Sequence, residues 1–315
     1  MDFDKIFIKN AHPTKIGGQA VLEGVMMKGA SCMATSVRIP NGEIILKVDK
    51  IKPPGKISKL PIIRGIVAFG SALVTGTKTL MYSAEVLEEA GVDMEKGKFD
   101  LWIEKKLGDK ANTFLIYLSV VIALFFTIGL FIIFPTIAIN FIKQFTENAI
   151  LLNLLEGVLR IVMFVLYIFL ISKLEDIRRV FQYHGAEHKS IHCYESGLDL
   201  TVENCKCFPT LHPRCGTSFM MFVLVISLLL FSLLGWPSLL VRILSRLLFI
   251  PIIAGLSYEV LRWAGKSNAS LVKFISIPGL WLQMLTTKEP DDSQMETALS
   301  SLEAVLKYSE GNEEL

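Results

Sequence analysis

Charge is scarce in this chain. Asp, Glu, Lys and Arg make up 20% of its 315 residues, against about 25% in a typical soluble domain. Beside this stand an apolar share of 52% and a mean hydropathy of +0.50, more apolar surface than a water-facing fold can hide. Positive charge is not in excess either: a net value of +2 excludes the basic stripe of a nucleic-acid binder. Cysteine is sparse, five residues without a regular framework, which argues against a secreted disulfide scaffold. Residues 1–14 lack the long apolar core and cleavage site of a signal peptide, so none is read there. Internal repeats and low-complexity tracts are missing as well.

Long apolar runs remain. Four stretches reach the roughly 20 residues needed to cross ~30 Å of hydrocarbon. Residues 113–139 carry no charge, 151–171 carry Glu156 and Arg160, and 217–234 are uninterrupted. The last, 239–263, holds Arg242, Arg246, Glu259 and Arg262. Its arginines sit toward the ends, where long side chains snorkel. Glu156 and Arg160 read as an i, i+4 pair inside the bundle. Glu259 lies deeper, and an intramembrane carboxylate is by default a paired or functional group. It either pairs with Arg262 or reaches the loop described below.

Lys and Arg concentrate in the N-terminal region, in the segment between the second and third runs (Lys173, Arg178, Arg179, Lys189, Lys206, Arg214) and after the fourth (Lys266, Lys273, Lys288). The other two links are nearly free of them, so the basic regions and both termini are expected in the cytoplasm. The expected fold is mainly α: a polytopic helical membrane bundle of about four transmembrane helices with a small cytoplasmic α+β portion. Residues 1–60 form that portion, including a hairpin around Pro40-Asn41-Gly42-Glu43. Residues 61–112 read as an interfacial or re-entrant helix and linker, because Arg64, Lys78 and three glycines break the apolar run. Residues 113–264 hold the bundle and a cytoplasmic His/Cys loop, 172–216. Residues 265–315 supply an interfacial helix punctuated by Pro278-Gly279 and an amphipathic helix capped by Asp291-Asp292-Ser293.

Four of the five histidines and four of the five cysteines lie between His184 and Cys215. The run from Tyr183 to Gly197 reads as part of a helix that extends the second span, starting near Leu174 and ending at Gly197. At about 100° per residue His184, His188, His192 and Glu195 fall within roughly 80° of one another, one polar stripe. A histidine pair four apart is a zinc-helix geometry. His184 and His192 are about 12 Å apart along the axis, so one pair plus outside ligands closes a site, or two ions sit along the stripe. His184-Gly185-Ala186-Glu187-His188 also matches H-x-x-E-H, the inverted zinc-peptidase pattern in which the glutamate activates water. Gly185 either permits close approach of another backbone or is tolerated at about 1 kcal/mol. His212 and Cys215, around Pro213, can fold back to complete the set. A separate zinc site from Cys205, Cys207, His212 and Cys215 fits no standard finger spacing, and Cys32 and Cys193 read as small apolar fillers.

Gly17-Gly18-Gln19-Ala20-Val21-Leu22-Glu23-Gly24-Val25-Met26-Met27, Tyr183-His184-Gly185-Ala186-Glu187-His188-Lys189 and Leu211-His212-Pro213-Arg214-Cys215-Gly216-Thr217-Ser218-Phe219 together resemble the YqhQ-like family. So do Leu280-Trp281-Leu282-Gln283 and Thr286-Thr287-Lys288-Glu289-Pro290-Asp291-Asp292. That is a bacterial membrane family of unknown function, labelled "predicted metal-dependent enzyme". The resemblance spans nearly the whole chain and implies that His184, Glu187, His188, His212 and Cys215 belong to the family signature. Cys205 and Cys207 do not belong to it. The glycine-rich N-terminal motif is either a lid over the loop, with Glu23 a further ligand or base, or a turn that docks the soluble part.

The expected function is a cell-membrane, metal-dependent hydrolase at the cytoplasmic interface. Glu187 is the base, and the ligands come from His184, His188, His212, Cys215, His192 and Glu195, with Glu23 and Glu259 as further candidates. The cofactor is a divalent metal, zinc foremost, and the partners are membrane lipids and a lipid-linked or membrane-peptide substrate. A non-enzymatic metal sensor, transporter or clamped assembly factor is the alternative. A membrane di-iron oxidase needs more histidines than the five here.

Overall fold

In the computed structural model the described residues are 6–7, 14, 16–51, 55, 60–92, 98–108, 111–264 and 270–309. Most of the N-terminal stretch read for a signal peptide, and Lys266, lie outside them. The chain divides into two compact units: Met1–Ala90 with Val165–Val223 and Pro251–Leu315, and Gly91–Phe164 with Leu224–Ile250.

The first unit opens with four short strands, β1 (Gly17–Val21), β2 (Gly24–Lys28), β3 (Cys32–Arg38) and β4 (Ile44–Lys50), in one antiparallel meander. A two-residue turn joins β1 to β2, with Val21 opposite Gly24 and Glu23 at a φ of 48°. A positive φ at the second central residue alone is the type II pattern. The expected hairpin is present as β3–β4, with Arg38 opposite Ile44; Gly42 at φ 92° and the Asn41 side chain, bonded to the Glu43 N–H, make its turn. Helix α1 (Ile63–Glu89) follows as one continuous 27-residue element despite its glycines. Gly65 serves packing: a Cβ there would stand 2.7 Å from the Tyr258 side chain and 2.8 Å from the Gly255 carbonyl oxygen, whereas Gly70 faces open space.

In the second unit α2 (Lys98–Leu107) precedes α3 (Ala111–Ile128), a π-helical turn (Gly129–Ile133) and α4 (Phe134–Ile142). The chain then runs through α5 (Ala149–Ile171), α6 (Glu175–Glu195), α7 (Val202–Lys206), α8 (Gly216–Ser232), α9 (Leu239–Ala264), α10 (Ser270–Thr286) and α11 (Asp292–Ser309). Among the described residues three helices are long and apolar enough to cross a membrane: Leu118–Ile142, Ala149–Ile171 and Leu239–Ala264. The expected third span, α8, has 17 residues and is one of two shorter apolar helices.

The expected start of the histidine-bearing helix near Leu174 is present, set off from α5 by residues 172–174. Leu174 is extended (φ −70°, ψ 135°) and starts a new helix, α6, whose first turn carries Glu175 and Asp176. Two acidic residues at a helix N-terminus favour a start there. α6 ends as expected, with Gly197 at φ 70°. Asp291 caps α11 reciprocally: its Oδ1 accepts the Gln294 N–H at 2.9 Å, and Gln294 Oε1 accepts the Asp291 N–H at 3.0 Å. α11 lies across β2 and β3, and α6 packs against β1 and α11. Met27, Ala34, Tyr183, Ile191, Met295 and Leu302 fill the layer between them. The C-terminal amphipathic helix is therefore part of this unit's core.

The close approach at Gly185 is real, since a Cβ there would collide with the Lys288 carbonyl oxygen. Gly185→Ala should lower the midpoint of thermal unfolding by about 4–10 °C through overpacking. A rise, as the roughly 1 kcal/mol gain in helix propensity alone would produce, would mean that the two backbones are not in contact.

Candidate metal centre

The stripe on α6 packs against the irregular segment that leads into α8. That segment's carbonyls take up the imidazole N–H groups: His188 Nδ1 lies 2.5 Å from Thr210 O and His192 Nε2 lies 3.0 Å from Leu211 O. His184 Nδ1 lies 2.8 Å from Thr286 O at the end of α10. Each carbonyl only accepts, so each of those ring nitrogens carries the proton. His184 and His188 are left with a lone pair on Nε2. His184 Nε2 lies 3.1 Å from Cys215 Sγ. His188 Nε2 is buried without a hydrogen-bond partner among the described residues. One donor atom from each of His184, His188 and Cys215 lies within 4.8 Å of the others, and the two rings meet edge to face at 4.4 Å.

Further along the stripe His192, Glu195 and the incoming His212 are packed side by side. The His212 ring lies 4.5 Å from His192 and 5.5 Å from His188. Its Nδ1 accepts the Arg214 N–H at 3.3 Å, and its Nε2 faces Glu195 at 3.9 Å. Glu195 is taken up by an ion pair with Arg214 and by the Thr14 N–H and hydroxyl, both at 2.8 Å. Burial pushes this carboxyl up, but the bonds from His212, Arg214 and Thr14 outweigh it and hold it at about 2. Burial lowers His188, brings His192 to about 4 and, with His192 and Arg214 nearby, His212 to about 3. Neutral imidazoles are the form that ligates a metal.

The expected ligands thus separate. His184, His188 and Cys215 converge. His192, His212 and Glu195 stand apart from that group and anchor the segment to α6: His192 Nε2, His212 Nδ1 and Glu195 Oε1 are each bonded to protein.

Glu187 projects beside this group. Its Oε2 is 3.9 Å from His184 Nε2, it is 5% exposed, and burial raises its pKa against the opposing pull of His184 and the Gly18 N–H. β1 runs directly over it: a Cβ on Gly18 would stand 2.8 Å from Glu187 Cγ and 2.7 Å from Met26 O. The glycine-rich motif therefore roofs the carboxylate.

The remaining candidates sit elsewhere. Glu23, at the hairpin turn, is bound by Arg179 through two 2.5 Å contacts and by the Tyr183 hydroxyl at 3.3 Å. Glu259 pairs with Arg64 of α1 and accepts the Ile62 N–H at 3.2 Å. Arg262 is not its hydrogen-bonded partner, and Glu259 does not join the loop, because α1 packs against α9 where the carboxylate emerges. The four-ligand finger is not assembled either. Cys205 is in the core beside Cys193 whereas Cys207 is exposed, since positions two apart on a helix face about 200° away from each other.

Sequence reasoning missed Gln283, which is fully buried on α10. Its side chain accepts the His212 N–H at 2.8 Å and donates to His212 O at 2.9 Å and Ser218 Oγ at 3.1 Å. The available signal was an amide in an otherwise apolar helix. A cavity of about 630 Å³ has Gln19, Phe69, Leu73, Gly216, Phe219 and Tyr258 in its wall; Gly216 is the chain neighbour of Cys215.

A family model described as "Protein of unknown function (DUF1385)" matches residues 60–308. That range takes in His184, Glu187, His188, His212 and Cys215 and leaves out the sheet. The "Uncharacterized protein YqhQ" of Bacillus subtilis (strain 168) is 36% identical over 315 residues, covering 95% of this chain and 94% of the relative. No solved structure matches.

Cys207 is exposed and Cys215 partly so, whereas Cys32, Cys193 and Cys205 are buried. Alkylation of the folded, metal-free protein, read by peptide mass spectrometry, should modify Cys207 fastest, Cys215 more slowly and the other three only after denaturation. Early labelling of Cys193 or Cys205 would contradict this packing.

Proposed function

The chain belongs to the DUF1385 family, whose description assigns no activity, and from the site's geometry we propose that it is an integral membrane protein with a metal-dependent hydrolytic centre at the cytoplasmic interface. The observation that carries this reading is the buried, unpartnered Nε2 of His188 beside His184 Nε2 and Cys215 Sγ. A buried polar atom left without a partner costs about 1–3 kcal/mol, and a cation at the focus of the three donors removes that cost. Tetrahedral zinc, with bonds of about 2.1 Å to nitrogen and 2.3 Å to sulfur, sets donors about 3.6 Å apart, so the 4.8 Å group needs to close by about an ångström. Two imidazoles and one thiol leave a fourth position open, as in catalytic rather than structural zinc sites. Bound there, a divalent ion supplies Lewis acidity and lowers the pKa of water to about 7.

The chain's own groups do the rest. Glu187 stands beside His184 to accept a proton from the attacking water. Thr210 and Thr286 fix the tautomers of His188 and His184 through their carbonyls, the orienting role that outer-shell acceptors play at metal sites. Gly18 and β1 exclude bulk water from Glu187. The cavity bordered by Gly216 takes the hydrocarbon of a lipid-linked substrate. A peptide there would leave backbone N–H and C=O groups unpaired against apolar walls.

Membrane placement rests on the three long apolar helices, joined by α8, and on outward apolar side chains such as Phe125 and Phe141, each 72% exposed. α8, at 17 residues, is at the short end of what spans a bilayer, which makes four crossings with both termini inside by the distribution of Lys and Arg. A second reading, a metal-clamped protein without turnover, draws on the roofing of Glu187 by Gly18.

Protein purified without chelator from carbonate-washed membranes should carry about one zinc-class ion per chain by elemental analysis. His188→Ala and Cys215→Ser should lose it, whereas Glu187→Gln should keep it. Full metal content in His188→Ala would sink the proposed centre, and release of the chain by the carbonate wash would sink the membrane placement. Loss of metal in Glu187→Gln would make that residue a ligand and leave no general base.

A further inference from the structure

A second cluster of charge lies within the other unit, where the sequence reading put snorkelling arginines and a simple i, i+4 pair. Arg242 and Arg246 do not reach outward. Both converge with Arg160 on Glu156: Arg242 Nη2 donates to Oε2 at 2.8 Å, Arg246 Nη2 to the same oxygen at 2.7 Å, and Arg160 Nη2 to Oε1 at 2.9 Å. The Thr136 hydroxyl donates to Oε1 at 2.9 Å. Glu156, Arg242, Arg246 and Arg160 are 1%, 2%, 5% and 8% exposed.

Charge does not balance here. Three guanidinium groups face one carboxylate, an excess of two positive charges among apolar side chains. Protein acceptors take some of the surplus donors. Arg160 Nε reaches the Phe131 carbonyl at 2.8 Å in the π-helical turn, Arg242 Nη2 reaches Thr136 O at 3.2 Å, and Arg246 Nη1 reaches Arg242 O at 3.2 Å. Nε and Nη1 of Arg242 and Nε of Arg246 remain buried without partners among the described residues. The Trp236 ring lies 3.4 Å from the Arg242 guanidinium and the Phe231 ring 5.2 Å from that of Arg246. Such contacts offset only part of the cost of burying an uncompensated ion. Among the described residues the cluster lacks a second anion.

We infer that Arg242, Arg246 and Arg160 form a binding site for a phosphate-type oxyanion. Guanidinium forks match the several acceptor oxygens of a phosphate, and the three orphaned N–H-bearing nitrogens are donors it can occupy. The inference borrows only the membrane placement from the reading above and nothing from the metal centre. Arg242 and Arg246 lie about 5 and 11 Å in from the start of α9, and Glu156 about 11 Å from the start of α5. That is the depth at which a phospholipid headgroup meets the hydrocarbon, with Trp236 at the interface. The phosphate is either that of a lipid or free in solution.

Delipidated full-length protein in a neutral detergent provides the test. Its unfolding temperature is read with phosphatidylglycerol, with diacylglycerol of the same acyl chains, with inorganic phosphate, and with chloride at equal ionic strength. Phosphatidylglycerol should raise the midpoint by at least ~4 °C over diacylglycerol; a rise with inorganic phosphate over chloride as well assigns the site to phosphate from either source. Arg246→Gln should weaken the effect on the order of tenfold. Should that variant not fold, Glu156→Gln serves: removing the competing carboxylate should strengthen the phosphate effect, whereas a cluster that is only an internal salt bridge would show none. Equal midpoints in both pairs of conditions for the wild type overturn the inference. Release from carbonate-washed membranes would overturn the membrane placement instead, and the inorganic phosphate arm would still report on the site.

Discussion

Buried imidazole N–H groups need acceptors, and in this protein three backbone carbonyls provide them. Thr210, Leu211 and Thr286 hold His188, His192 and His184 in one tautomer each. Because those carbonyls belong to segments far from α6 in sequence, satisfying the rings also pins the 207–215 segment and the end of α10 against the helix. Gln283 completes the arrangement by bonding both backbone groups of His212. The Nε2 lone pairs that His184 turns to Cys215 and His188 leaves without a partner follow from this tautomer choice, so the candidate centre is a consequence of how the donors are satisfied.

Glycine decides how closely the elements can pack around that centre. Gly18 lets β1 rest on the Glu187 carboxylate, and Gly185 lets the Lys288 backbone pass against α6. Both approaches would be blocked by a single methyl group. The resulting site has a dry carboxylate under a strand, and an apolar cavity with Gly216, the chain neighbour of Cys215, in its wall. A protein site of this kind, mostly apolar with a few convergent polar groups, is the usual form of a small-ligand pocket.

Charge is settled in two ways. Lys189 and Glu195, both buried, find oppositely charged partners in Glu289 and Arg214, and Glu259 finds Arg64. Around Glu156 the same chemistry is left unbalanced, three arginines to one glutamate. Pairing a buried ion removes most of its desolvation cost, while an unmatched one keeps it. The contrast between these neighbourhoods is why only the second points to a missing ligand.

Periodicity and composition determine much of this protein. The apolar lengths of α5 and α9, the stop at Gly197, the β3–β4 turn and the alignment of His184, His188 and His192 on one face all follow from short-range rules that act within a turn or a strand. So does the pairing of Glu156 with Arg160. What needed the tertiary structure lies between segments distant in the chain: the roof over Glu187, the choice of Cys215 over His192 beside the histidine pair, and the partners of Glu23, Glu259, Arg242 and Arg246. Helical spacing says which side chains share a face. Which of them keeps a free lone pair or an unmatched charge depends on what the rest of the chain brings within about 3 Å, and no local pattern encodes that.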